Sequence, residues 1–389
     1  MKIAYLTVAD ARDVRGWSGS NLHIYKALEA QGVEVELIGD LYHGPSMKRK
    51  FRKDWGKWIE RRDYNRFWDT DTARGYAAVV EARLKHLDVD AVLSPSPVLL
   101  AYLNCVQPKV LWTDAGFAAL RHDYPDFRPD LISVSSAQQA HQIDLAAVRG
   151  CSLLLYASDW GAEWALKDTA ADPAKVAVVP FGANIEITHT AAEVAQMAVL
   201  RGSSPVRFLF VGVDWERKGA DKAIAVVGAL RERGVDAELT LVGCFPAADR
   251  MIPAWVHLLG FLSKGTEEGC RRLFDLYRQS HFLIVPTIGE AYGLVFAEAS
   301  AFGVPSLSHR VGGVPTIIRD GVNGQLFDLD QPVSAWADWV VSVLSEPEGL
   351  SRLAVSSFAE YQARLNWEVA GRDAAKRIGA CLAAKQKQL

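Results

Sequence analysis

Short apolar runs that do not alternate with polar residues, each followed by a helical stretch, recur along this chain of 389 residues and constrain its architecture strongly. A run without alternation is buried on both faces, as a strand inside a parallel sheet is. Ile3–Val8, Val33–Ile38, Ala91–Leu93, Lys109–Thr113, Ser152–Ala157 and Val176–Pro180 read as such strands, with a helix over Ser20–Gln31 stopped by Gly32. Pro180-Phe181-Gly182-Ala183-Asn184 breaks the rhythm. After a polar helix it restarts at Val206–Val211, with later strands at Ala237–Val242, Val256–Leu259 and Phe282–Val285, and final helices from about Trp336. Parallel strands need helical crossovers, so the fold class is α/β with helices on both sheet faces. Length supports two domains, since a single core seldom grows past roughly 250–300 residues.

Composition removes several function classes. The net charge of −3 gives no global reason to expect a nucleic-acid partner. Cys105, Cys151, Cys244, Cys270 and Cys381 are odd in number, scattered, and free of any C-x-x-C spacing. That pattern suits neither a disulfide framework nor a zinc site and points to a reducing compartment. Met1–Val8 reads as a first strand without signal-peptide anatomy, and no apolar run approaches the roughly 20 residues of a membrane helix. The expected location is the cytoplasm, with peripheral contact on the inner face of the membrane left open. Asp69-Thr70-Asp71, Asp88-Val89-Asp90 and Asp328-Leu329-Asp330 each spell D-x-D, but none ends a buried strand, where a divalent ion would need it. No metal is expected.

Two segments carry chemistry. The first is Gly289-Glu290-Ala291-Tyr292-Gly293-Leu294-Val295-Phe296-Ala297-Glu298, which follows the apolar run His281–Pro286. Gly293 opens a helix from Leu294 to about Phe302, so the backbone N–H groups of Gly293, Leu294 and Val295 are placed to receive an anion. Glu298 shares a helical stripe with Leu294, Ala301 and Phe302, where a carboxylate is costly unless hydrogen-bonded. Ribose hydroxyls would satisfy it, and so would a cap or an arginine. The second segment is Phe208–Gly212 running into Val213-Asp214-Trp215-Glu216-Arg217-Lys218-Gly219, read as a strand and a loop before a helix over Ala220–Arg233. A guanidinium that grips two oxygens, a mobile ammonium and a helix end together suit a diphosphate. An exposed Arg-Lys pair is the plain alternative. Near the N-terminus, Gly16-Trp17-Ser18-Gly19-Ser20 is not a G-x-G-x-x-G fingerprint, so a nicotinamide cofactor is poorly supported.

With Gly312-Gly313-Val314-Pro315 and Asp320-Gly321-Val322-Asn323-Gly324 following the two glutamates, the stretch from Val285 to Phe327 resembles the nucleotide-sugar half of retaining family-4 glycosyltransferases. The likeness extends more weakly over almost the whole chain. It implies the GT-B architecture, two Rossmann-like domains facing across a cleft. Residues 1–182 would form the acceptor side and 183–366 the donor side, with 367–389 a helix crossing back to the first domain. It implies transfer from a nucleoside-diphosphate sugar to a hydroxyl acceptor without a cofactor. Arg217, Lys218 and the Gly293, Leu294 and Val295 amides would hold the diphosphate, Glu298 the ribose and Glu290 the sugar hydroxyls. Gly19 would let backbone approach the diphosphate, and the base would lie near Leu259-Gly260-Phe261-Leu262. Uridine diphosphate is expected on frequency alone.

The sequence departs from the family twice. Asp114 stands where many relatives have a catalytic histidine, so either Asp114 or another residue such as His122 takes that role. Thr316 replaces an acid after G-G-x-P. A non-catalytic sugar-nucleotide binder and an epimerase on the same frame are the rival classes. Glu290, as a loop carboxylate, is expected to contribute little to stability.

The segment 48–68 holds nine Lys/Arg against three acidic residues, with Phe51, Trp55 and Trp58 at helical spacing. Such a helix can lie on an anionic membrane, grip a phosphate-bearing acceptor, or pack its aromatics into the first domain.

Overall fold

A computed structural model describes residues 1–41, 67–128, 130–202 and 204–387. The chain divides into two compact units, Met1–Phe181 with Trp367–Leu389, and Gly182–Asn366.

The first unit is built on a parallel sheet of β1 (Lys2–Leu6), β2 (Glu34–Ile38), β3 (Ala91–Ser94), β4 (Lys109–Thr113), β5 (Leu153–Tyr156) and β6 (Val176–Val178). Their spatial order is β2-β1-β3-β4-β5-β6. Register runs through Ile3 opposite Val35 and Ala91, and Leu111 opposite Leu154. β3 and β5 are buried along their whole length, which is why those runs lack polar alternation. The strand order reverses beside β1, between β1 and β3, and the turn after β1 opens onto that point. There Trp17, Ser18 and Gly19 take three successive positive φ values, 47°, 56° and 89°.

Helix Trp367–Gln386 belongs to this unit and packs on helix Ser20–Glu29. At Gly371 an added Cβ would collide with the carbonyl oxygen of Ala27, so the two helices approach closely only with glycine there. Trp367 stacks on His23 at 5.9 Å and on Phe181 at 5.4 Å, with Trp112 at 6.0 Å. Trp112 and Phe181 are fully buried, and burying rings of this size is worth about 1.5–3 kcal/mol each.

Lys48 to Arg66 lie outside the described residues, and so does most of the basic-aromatic segment. Of that segment, Trp68 is buried with its ring 5.5 Å from that of Phe117. No described helix is long and apolar enough to cross a membrane.

The second unit repeats the plan with β7 (Val206–Val211), β8 (Ala237–Val242), β9 (Val256–Leu258), β10 (Phe282–Ile284), β11 (Ser306–His309) and β12 (Gly324–Phe327). All pairings are parallel, in the order β12-β11-β10-β7-β8-β9. Three local expectations change. The helix before β7, Ala191–Leu200, is not polar: Glu193 is its one charged residue, used in a capping box with Thr190, while Val194 and Ala198 are buried. Trp215–Lys218 is a helical turn rather than loop, because Asp214 caps it. The first of the final helices begins at Val333, three residues early.

Candidate functional site

In an open parallel sheet, ligands bind beyond the carboxyl ends of the strands where the order reverses. In the second unit that point lies between β7 and β10, and the loops after these strands are the two that carry Arg217, Lys218 and Glu290. They are tied to each other. The amide of Ile288 donates to the carbonyl of Arg217 at 2.9 Å, and the Arg217 guanidinium donates to the carbonyl of Gly289 at 3.1 Å. The hydroxyl of Thr287 lies 3.1 Å from the Arg217 carbonyl and 3.0 Å from that of Gly289. Gly219 closes the helical turn at φ 76°, and an added Cβ would run into the carbonyl of Pro286. The glycine of Arg-Lys-Gly is thus what lets the two loops meet.

Lys218 pairs with Glu290 through Nζ and Oε2, with both side chains only 11 % exposed. That corrects the expectation for Glu290, which is half of a shielded ion pair rather than a free loop carboxylate. Arg217 also lies 3.4 Å from Asp214. The double glycine has a steric reason as well: a Cβ on Gly312 would collide with the Glu290 carbonyl, which accepts the Gly313 amide at 3.1 Å. Gly293, at φ 100°, starts helix Leu294–Ala301 and leaves no room for a Cβ between Phe296 and Glu290. The first amides of that helix, among them Leu294 and Val295, have no acceptor within the helix itself and open beside Glu290.

Glu298 is 1 % exposed on the same helix. Its partner is a lysine from the loop after β9, not an arginine: Lys264 Nζ lies 2.6 Å from Oε1. The hydroxyl of Tyr277 donates to Oε2 at 3.3 Å. Burial first, and Glu298 second, push the Tyr277 phenol well above its usual range, so it stays protonated and a donor. Lys264 is 28 % exposed along its side chain and also reaches the carbonyl of Asn184 at 3.4 Å. Its one signal in the sequence is its place just after Leu259-Gly260-Phe261-Leu262-Ser263.

A second residue escaped sequence reasoning. Arg201, 3 % exposed, donates to the carbonyls of Phe302 at 2.6 Å, Gly303 at 2.8 Å and Arg278 at 3.1 Å. Its cation meets the orphan carbonyls beyond the helix that carries Glu298. Burial lowers its pKa to about 10, which leaves it charged.

Gly19 and Asp114 lie in the first unit. Gly19 is the buried N-cap of helix Ser20–Glu29 beside the β1/β3 reversal. Asp114 follows β4, half-buried, and its Oδ1 accepts the Ala115 amide at 2.8 Å. His122 is largely exposed and pairs with Asp123 at 2.7 Å. Shortly after Asp114 in the chain, the amides of Phe117 and Ala118 donate to the buried Asp144. Burial raises its carboxyl to about 7 against the pull of those two donors. Of the D-x-D spellings, Asp69 caps helix Thr70–Leu84, Asp90 accepts the Lys2 amide and Asp328 lies 3.5 Å from Arg310. Among the described residues no three His, Cys, Asp or Glu side chains converge as metal ligands would.

Two parallel six-stranded sheets, one with a cationic loop and a helix N-terminus at its reversal point, place the chain among α/β proteins with the GT-B fold. Residues 205–346 match the pattern of the glycosyl transferases group 1 family. It is similar to D-inositol 3-phosphate glycosyltransferase of Xylanimonas cellulosilytica, at 34 % identity over 42 % of this chain and 39 % of that protein. The like-named protein of Corynebacterium glutamicum is 30 % identical over 51 % of this chain and 50 % of its own length. The chain spans half or less of these relatives. Among solved structures, sucrose-phosphate synthase from Thermosynechococcus elongatus superposes with a TM-score of 0.69 at 17 % identity, covering 99 % of this chain and 100 % of its own. Anabaena HepE in complex with UDP and glucose gives 0.62 at 14 %, covering 97 % and 99 %.

Proposed function

We propose that this protein is a retaining, metal-independent glycosyltransferase that moves a sugar from a nucleoside-diphosphate donor, UDP-linked by preference, to a hydroxyl acceptor. The observation that carries the reading is the Lys218–Glu290 pair, set with Arg217 and the Gly293 helix end at one reversal point of the sheet. As the bond from the sugar to the diphosphate breaks, negative charge grows on the leaving group. Arg217, Lys218 and the helix amides face that charge already oriented, so they act mainly in the transition state. Glu290 accepts from sugar hydroxyls and orients the ring. The acceptor attacks from the face the diphosphate leaves, and a departing phosphate oxygen takes its proton. No side-chain nucleophile is needed. The relatives named as glycosyltransferases support sugar transfer, and the HepE complex with UDP and glucose supports a nucleotide-sugar donor.

Thermal-shift titration with UDP, GDP and ADP, followed by assay of UDP-glucose hydrolysis in excess EDTA, tests this. Stabilisation by one diphosphate, UDP foremost, and EDTA-resistant turnover are expected. Strict dependence on manganese would overturn the metal-independent mechanism, and indifference to all three nucleotides would overturn the function.

The acceptor is proposed to be lipid-linked, because the nine Lys/Arg of 48–68 surround aromatics in a chain otherwise acidic. Co-sedimentation with phosphatidylglycerol vesicles should be strong at low salt, fade as salt rises, and vanish when Lys48, Arg49, Lys50, Arg52 and Lys53 become Glu. If the intact protein stays in the supernatant at every salt, a soluble acceptor replaces the lipid.

A further inference from the structure

His309 ends β11 and is 2 % exposed. Its Nδ1 lies 3.1 Å from the carbonyl oxygen of Thr287, and its Nε2 lies 2.8 Å from Nζ of Lys222. A carbonyl only accepts and an ammonium only donates, so this network assigns the proton to Nδ1 and leaves Nε2 bare. Burial first, and Lys222 second, lower the imidazole pKa to about 4, consistent with a neutral ring at pH 7. Lys222 is itself fixed, donating to the Gln331 carbonyl at 3.1 Å and sitting 5.3 Å from the Trp336 ring centre. Trp336 meets the imidazole edge-on at 5.2 Å. The held peptide, Thr287, lies three residues before Glu290, and its hydroxyl reaches the carbonyls of Arg217 and Gly289. One neutral ring thus connects helix Ala220–Glu232, the end of β11 and the loop on which Glu290 stands.

We propose that His309 is a positioning residue for Glu290: oriented by Lys222, it holds the Thr287 carbonyl and so fixes the Thr287–Glu290 loop where its carboxylate meets Lys218 and the donor sugar. This rests on the reading of Glu290 as the group that orients the sugar. A loop free to shift by an ångström would bind the nucleotide nearly as well, since Arg217 and Lys218 stand on the other loop. It would orient the sugar poorly, and misplacement on that scale costs up to about a hundredfold in rate.

His309→Asn, His309→Gln and His309→Phe separate the two bonds, because an asparagine amide nitrogen reaches the place of Nδ1 and a glutamine nitrogen that of Nε2. The readouts are UDP affinity, kcat for UDP-glucose hydrolysis, and hydrogen exchange of the amides from Val285 to Tyr292. His309→Phe and His309→Gln should lower kcat at least about tenfold, keep the UDP Kd within about twofold, and speed exchange in the loop. His309→Asn should restore both kcat and protection. Equal behaviour of Asn and Gln, or loop exchange unchanged in Phe, overturns the proposal. Should Phe fail to fold, the comparison of Asn with Gln decides alone. A wild-type protein that binds no nucleoside diphosphate overturns the proposed function instead, while the exchange data still decide whether His309 holds the loop.

Discussion

Glu290→Ala is expected to lower sugar transfer by about a thousandfold and, unlike an ordinary loop substitution, to reduce stability as well. The catalytic part follows from position. Glu290 is the carboxylate between the cationic loop and the helix end, and removing one oriented polar group of that kind typically costs about 10²–10³ in kcat. The stability part follows from Lys218, which the substitution leaves 11 % exposed with its partner gone. Stranding half of a shielded pair costs more than losing an exposed one and approaches about 3 kcal/mol. Glu290→Gln should retain most of the fold, because its carbonyl still accepts from Lys218, yet it should remain slow for want of charge. Lys218→Met should weaken UDP binding and turnover together. In the double variant Lys218→Met, Glu290→Gln, stability should recover towards wild type while activity does not, since neither buried group is then left charged. Thermal unfolding beside UDP-glucose turnover separates these effects. Near-normal turnover in Glu290→Ala would remove Glu290 from the reaction.

How far this site could be read from the sequence depends on which distances local chemistry controls. The parallel sheets were legible because runs such as Leu153–Tyr156 are apolar at every position, as only a strand covered on both faces is. Gly293 as a helix start and Gly219 before a helix were legible for the same local reason. The joining of the two loops was not. Arg217 and Gly289 are 72 residues apart, and only the strand order β10-β7 makes them neighbours. In the sequence only motif resemblance, not spacing, relates them. Lys264 shows the limit more sharply, because a lone lysine after a strand carries no periodicity and no cap signal. Its contact with Glu298, 34 residues away, is decided by the packing of the whole unit. His309 ends the short, mixed run Ser306-Leu307-Ser308-His309, which carries no clear periodicity, and its tautomer depends on Lys222, 87 residues away. The turn Trp215–Lys218 was missed because four residues are too few to show a helical period, although Asp214 is an ordinary cap.

The other large effect is expected at Glu298 and Lys264, with Glu298 as the proposed partner of the ribose. Each carboxylate oxygen offers about two lone-pair sites. Lys264 takes one on Oε1 and Tyr277 one on Oε2, which leaves a site on each oxygen for a vicinal diol. The two partners therefore do not exhaust the acceptor capacity of the carboxylate. If Glu298 binds the diol, wild type should prefer UDP over 2′-deoxy-UDP by about 10–100-fold, the usual worth of about 1.5–3 kcal/mol for a hydrogen bond to a charged group. Glu298→Gln should abolish that preference and weaken UDP itself by a similar factor, because its amide NH2 offers donors where the diol needs acceptors. Lys264→Met should destabilise the protein, since the carboxylate at 1 % exposure would keep only Tyr277. Lys264→Met combined with Glu298→Gln should regain stability and still ignore the 2′-hydroxyl. Calorimetric titration with UDP, 2′-deoxy-UDP and 3′-deoxy-UDP, beside thermal unfolding of each variant, reads all of this. Equal wild-type affinity for UDP, 2′-deoxy-UDP and 3′-deoxy-UDP would make Glu298 a structural partner of Lys264 alone, and recognition of the nucleotide would then rest on the diphosphate and the base.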